Sequence, residues 1–146
     1  MKRNFRFGAA VSALYLSIAT HAVTIDFIPA AQTVNLGDTA IVGVALGDLA
    51  PSEFIGAYDL WIIYDNSILD FDGVTFRNLL GGPADAIQDA AGGAGRIDVA
   101  QTSLLFDLAP LQAGLSALPI FEISFDTLAV GIAPLGISFR LLSDEN

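Results

Sequence analysis

From residue 23 onward, apolar residues recur at every second position in short runs broken by Gly, Pro, Asp and Asn, the signature of half-buried strands. Ile25 and Phe27 flank Asp26, and Ala40, Val42, Val44 and Leu46 fall on one face of a second segment. Phe121-Glu122-Ile123-Ser124-Phe125-Asp126 alternates most regularly. Ile137, Phe139 and Leu141 alternate with Ser138 and Arg140, which predicts an apolar inner face and a polar outer one in the last segment. Between 58 and 64, Tyr58, Leu60, Ile62 and Tyr64 share one face and read as core, leaving Asp59, Trp61 and Ile63 on the other. The fold class this predicts is all-β, a sandwich of two antiparallel sheets, each with one buried face.

Turn chemistry falls between these runs, at Asn35-Leu36-Gly37-Asp38, at Asp65-Asn66-Ser67, and at Gly131 and Pro134 before the last strand. Asn and Asp bond their own backbone and Gly tolerates positive φ, so each is a stop signal with a mechanism. Across Gly73 the apolar parity changes from Leu69 and Phe71 to Val74 and Phe76, which predicts a β-bulge. Leu79 to Gly95, rich in Gly and Ala, is expected to be a long loop with at most one helical turn over Ala84–Ala91, and Asp107 to Ala117 a second loop. No internal repeat and no interdomain linker is visible.

The N-terminus changes the picture of where this domain works. Lys2, Arg3 and Arg6 precede an apolar run from Phe7 to Ala19 and a short stretch ending in Thr20-His21-Ala22, the layout of a secretory signal peptide. Cleavage is expected after Ala22, leaving one domain of 124 residues, 23–146, exported from the cytoplasm to the medium or the cell surface. That domain keeps three cations, Arg77, Arg96 and Arg140, against sixteen carboxylates, a formal charge of −13. Such a surface repels nucleic acid and anionic lipid head groups. No run of eighteen apolar residues follows the leader, so no membrane span is expected. With no cysteine, the domain has no disulfide and depends on packing.

The only histidine, His21, and the only lysine, Lys2, lie in the leader. Imidazole-dependent triads, Schiff bases and His or Cys ligation of zinc or copper therefore have no side chains to use after export. Neither GxxxxGK[ST] nor a strand-linked GxGxxG occurs. Carboxylate chemistry remains: Asp59 with Asp65, or Asp70 with Asp72, are the pairs that a glycosidase would use as acid and base. Calcium needs several converging oxygens, and Asp70-Phe71-Asp72-Gly73 is too short a fragment of a DxDxDG loop to support it; no cofactor is expected. Tyr58, Trp61 and Tyr64 suggest a sugar-stacking strip, but strand parity separates Trp61 from the two tyrosines. The face of Asp59, Trp61 and Ile63 mixes a carboxylate with large apolar surface, as protein-binding patches do, unless a loop or neighbouring strand covers Trp61.

Leu36-Gly37-Asp38-Thr39, Ile55-Gly56-Ala57-Tyr58, Ile63-Tyr64-Asp65-Asn66-Ser67-Ile68-Leu69, Gly95-Arg96-Ile97 and Ile120-Phe121-Glu122-Ile123-Ser124-Phe125 followed by Gly131 occur in an order and spacing that resemble the cohesin domain, from about Val23 to Phe139. The resemblance implies an antiparallel jelly-roll β-sandwich of about nine strands, related to carbohydrate-binding modules. It implies a non-catalytic binding or scaffolding role: the family's familiar members hold calcium-dependent dockerin modules in cellulose-degrading assemblies. Carried over by position, the family's docking face falls on Asp59, Trp61 and Ile63 and on Asp98, Ala100 and Thr102. The partner so implied is a dockerin-like protein module in a polysaccharide-related or cell-surface setting, with a polysaccharide ligand as the alternative. Asn66 stands where the family often has Pro. A leader followed by a single such domain also resembles small exported proteins of Gram-negative bacteria that end in a Pro-Glu-Pro sorting tail. No such tail follows Asp144-Glu145-Asn146, so a short or truncated variant is expected.

Overall fold

The computed structural model of the chain describes residues 22–144; apart from Ala22, the predicted leader lies outside the described residues. The strands are β1 (Thr24–Ile28), β2 (Thr39–Gly47), β3 (Ile55–Ile63), β4 (Leu69–Phe76), β5 (Ala86–Gly93), β6 (Arg96–Ser103), β7 (Leu118–Thr127) and β8 (Gly136–Asp144). They form two four-stranded sheets, β1-β2-β7-β4 and β5-β6-β3-β8, with every neighbouring pair antiparallel. The all-β sandwich matches the expectation, with eight strands among the described residues where about nine were expected.

Alternation explains how the sheets stack. Ala40, Val42 and Val44 of β2 stand opposite Phe125, Ile123 and Phe121 of β7, and all six are buried. Tyr58, Leu60 and Ile62 of β3 stand opposite Gln101, Val99 and Ile97 of β6, also buried. The two inward faces merge into one core, and each fully buried large side chain contributes roughly 1.5–3 kcal/mol. Rings join the layers: Tyr58 lies 5.8 Å from Phe121 and Tyr64 5.3 Å from Phe125, centroid to centroid.

The predicted bulge is present, with the β4–β7 register shifting between Phe71 and Gly73. Two of the predicted turns are held by hydrogen bonds of polar side chains. Asp38 N–H donates to the Asn35 carbonyl at 3.1 Å, and the Thr127 hydroxyl reaches the carbonyls of Asn35 and Asp38 at 2.8 and 2.9 Å. Ser67 donates to Asp65 Oδ1 from its N–H at 2.9 Å and from its hydroxyl at 2.6 Å.

Three expectations are corrected. The segment Leu79–Gly95 is not a loop: a 3-10 turn (Asn78–Leu80) leads into β5, which pairs with β6 from Ala86↔Ser103 to Gly93↔Arg96. Its small residues serve a close approach, because a Cβ on Gly92 would land inside the Phe71 ring of β4. The hairpin turn uses Ala94 at φ 52° and Gly95 at φ 83°, the left-handed pair that suits the twist of the flanking strands. Within Asp107–Ala117 the chain makes one helical turn, α1 (Ala109–Gln112), with Gln112 buried.

The third correction is in β8. Ile137 faces inward opposite Ile62, but Phe139 and Leu141 stand opposite Trp61 and Asp59 and face outward. The register shifts between Trp61 and Ile62, leaving Ser138 as the extra residue. One inserted residue turns every side chain beyond it to the other face, so Leu142 packs on the core in place of Leu141.

Candidate functional site

Because directly paired residues share a face, the ladder registers fix the outer surface of the β5-β6-β3-β8 sheet row by row. Ile87, Thr102, Ala57 and Ser143 form the first row; Asp89, Ala100, Asp59 and Leu141 the second. Ala91, Asp98, Trp61 and Phe139 form the third, and Gly93, Arg96, Ile63 and Gly136 the fourth. All six residues expected to contact a partner, Asp59, Trp61, Ile63, Asp98, Ala100 and Thr102, therefore lie on one face of two adjacent strands. With strands about 4.8 Å apart and rows separated by two residues, they form one continuous surface.

Trp61 is its centre. It is half-buried, packed against Phe139 and Arg96 of the neighbouring strands. The Phe139 ring lies 4.9 Å away, tilted by 40°, and the Arg96 guanidinium sits 4.5 Å from the indole centroid, a cation–π distance. Arg96 also holds Asp98, with Nε 2.8 Å from Oδ1 and Nη2 donating to Oδ2 at 2.9 Å. An ion pair joining rows three and four thus lies beside the two aromatic rings of row three. Ile63, Phe139, Leu141 and Ile87 add exposed apolar surface around it, Leu141 at 58%.

Row two has a different chemistry. Asp59 and Asp89 flank the small Ala100 and make no hydrogen bond or ion pair among the described residues. Two unpaired carboxylates about 10 Å apart, two strand spacings, leave this part of the face anionic. The complement of such a surface is a partner with apolar side chains for the ring pair and a cation for the carboxylates.

The glycosidase pairs fare otherwise. Asp65 lies beyond the end of β3, and its carboxyl is held below the usual range by hydrogen bonds from the Ser67 hydroxyl and the Ser67 backbone N–H. A general acid needs the opposite shift. Asp70 stands opposite Asp126 on the other sheet, and Asp72 accepts a hydrogen bond from Ser124 at 3.1 Å. Among the described residues no group of three or more acidic side chains converges where a metal ion could sit, and no helix is long and apolar enough to cross a membrane. Burial drives the Tyr58 phenol above its ordinary range; its hydroxyl donates to Gln101 Oε1 at 2.9 Å inside the core, away from this face.

Sequence reasoning missed Phe139, Leu141, Arg96 and the whole β5 contribution. The doublet Leu141-Leu142 was the available signal for a parity break in β8, and the Ala-Gly run of β5 carried none.

No family model and no curated protein matches the chain. Solved structures do. A type II cohesin domain from the cellulosome of Acetivibrio cellulolyticus superposes with a TM-score of 0.65 at 14% identity, covering 84% of each chain. A cohesin from Clostridium thermocellum, solved as a type I cohesin–dockerin complex, gives 0.64 at 18% identity over 84% of this chain and 87% of that one. The cohesin module of a family 33 glycoside hydrolase from Clostridium perfringens gives 0.63 at 11% identity over 87% and 88%. The chain thus has the cohesin-like sandwich fold.

Proposed function

We propose that this chain is an exported, non-catalytic recognition module that docks a dockerin-type protein on the outer face of β5-β6-β3-β8, in a polysaccharide-related or cell-surface assembly. The observation that carries the reading is the juxtaposition of Trp61 and Phe139 with the unpaired Asp59 and Asp89 on one sheet face of a cohesin-like fold. Support for the partner class comes from solved structures of the same fold that contain dockerins. Apolar anchors ringed by polar groups are the composition of a docking surface.

The test is titration calorimetry of the domain against a panel of recombinant dockerin modules, repeated with Trp61→Ala. Truncating a central aromatic anchor costs about 2 kcal/mol or more, roughly a 30-fold weaker Kd, while the outward position, outside the buried core cluster, keeps the variant folded. An early-melting Trp61→Ala that still captures normally would remove the patch from the site. The two outward rings also admit a polysaccharide ligand, although their 40° tilt and the guanidinium over Trp61 leave no flat platform for a pyranose. Retention on cellulose or chitin in affinity electrophoresis, lost in Trp61→Ala, with no dockerin bound, would favour that reading.

A further inference from the structure

At the end of the sandwich where β1 and β7 finish and β2, β4 and β8 begin, the β1–β2 and β7–β8 connections face each other across a cavity of about 620 Å³. Its floor is the end of the core, with Val42, Leu69 and Phe125. The β7–β8 connection, Leu128-Ala129-Val130-Gly131-Ile132-Ala133-Pro134-Leu135, has no polar side chain. Val130 and Ile132 in it are 89% and 91% exposed. It is held close to the body at Gly131, where a Cβ would meet Ile68 Cδ1 at 2.6 Å.

Two observations fix the chemistry of what fits. None of the 21 lining residues carries a charge, in a chain whose acids outnumber its cations sixteen to six. Two polar groups of the rim are also engaged within the protein: Gln32 Nε2 donates to the Ile41 carbonyl at 3.1 Å, and the Thr127 hydroxyl accepts from Gly37 N–H at 2.8 Å while reaching the Asn35 and Asp38 carbonyls. A charged occupant would lose hydration there with no opposite charge in return. The volume lies in the range of small-molecule sites, and the concavity, floored by core side chains, suits an inserted chain better than a flat bilayer surface. We infer that this tip cavity is a second binding site that takes the alkyl chain of a single small amphiphile, with its head group left in solvent.

The probe is the uncharged fluorophore N-phenyl-1-naphthylamine, titrated into the domain and displaced by 1-dodecanol. Saturable one-to-one enhancement and displacement are expected, weakened at least tenfold by Val130→Asp and by Ile132→Asp. Both positions are exposed, so the variants should melt with the parent. Trp61→Ala should bind the probe like the parent, so failure here and failure of the docking reading are separable. Absence of saturable enhancement, or equal binding by both Asp variants, would overturn the inference. So would co-sedimentation with phosphatidylcholine vesicles without dodecanol displacement, or a dimer in sedimentation velocity that Ile132→Asp dissolves while the probe goes unbound.

Discussion

Gln112 offers the sharpest test of how this sandwich is held together. Its side-chain amide accepts from Ile55 N–H at 2.8 Å and donates to the Ile55 and Leu79 carbonyls, each at 2.9 Å. The amide thus replaces the neighbouring strand that the first residue of β3 lacks there, and ties it to the 3-10 turn before β5. Gln112→Met keeps the length of the side chain and removes all three bonds. At about 1 kcal/mol each, with two buried groups of Ile55 and the part-buried Leu79 carbonyl left unpaired, the loss is about 3 kcal/mol. For 123 described residues, an unfolding entropy of about 2.1 cal/mol/K per residue gives about 0.26 kcal/mol/K. The expected fall in Tm is therefore about 12 °C. Differential scanning calorimetry and urea unfolding should agree, with the midpoint shifted and the m-value unchanged. A variant within about 1 kcal/mol of the parent would refute the reasoning, because the three groups would then have found water or another partner.

Gly92→Ala should cost about 1–3 kcal/mol in urea unfolding, since its Cβ has no room beside Phe71; Gly82→Ala, where nothing lies within 4 Å of the added carbon, is the control and should be close to neutral. Asp65 has a folded pKa below its ordinary 3.8, so its contribution is fully present above that value and is lost as pH falls through the lowered one. Asp65→Asn should accordingly be less stable than the parent at pH 6, and the gap in urea midpoint should narrow as pH falls below 3.8; a gap that does not change with pH would mean the carboxylate charge is not what holds the turn.

The core was legible in the sequence because burial writes a period of two that local chemistry does not disturb. Ala40, Val42, Val44, Ile123 and Phe125 face inward as their spacing predicts, and the Asp65 and Asn35 turns stop the strands where side chains can cap them. β5 was illegible because its second half is Ala and Gly, with Gly92 lying where a Cβ would clash with Phe71, so the strand lacks apolar alternation and its composition imitates a loop. In β8 the single extra residue at Ser138 reverses the meaning of the alternation after it. That reversal hid half of the candidate site, since Phe139 was assigned to the core while its strand partner Trp61 was assigned to the surface. The six residues drawn from the resemblance came from β3 and β6, whose mutual register is unbroken.

The ring pair at the heart of the proposed docking face joins positions 61 and 139, and Ser138 Oγ reaches the Trp61 carbonyl at 3.3 Å across the same seam. A nascent or partly folded chain in which β8 has not yet zipped onto β3 has no aromatic pair to offer. A ligand that recognises the pair would therefore favour the fully zipped sheet over any chain whose last strand is still loose.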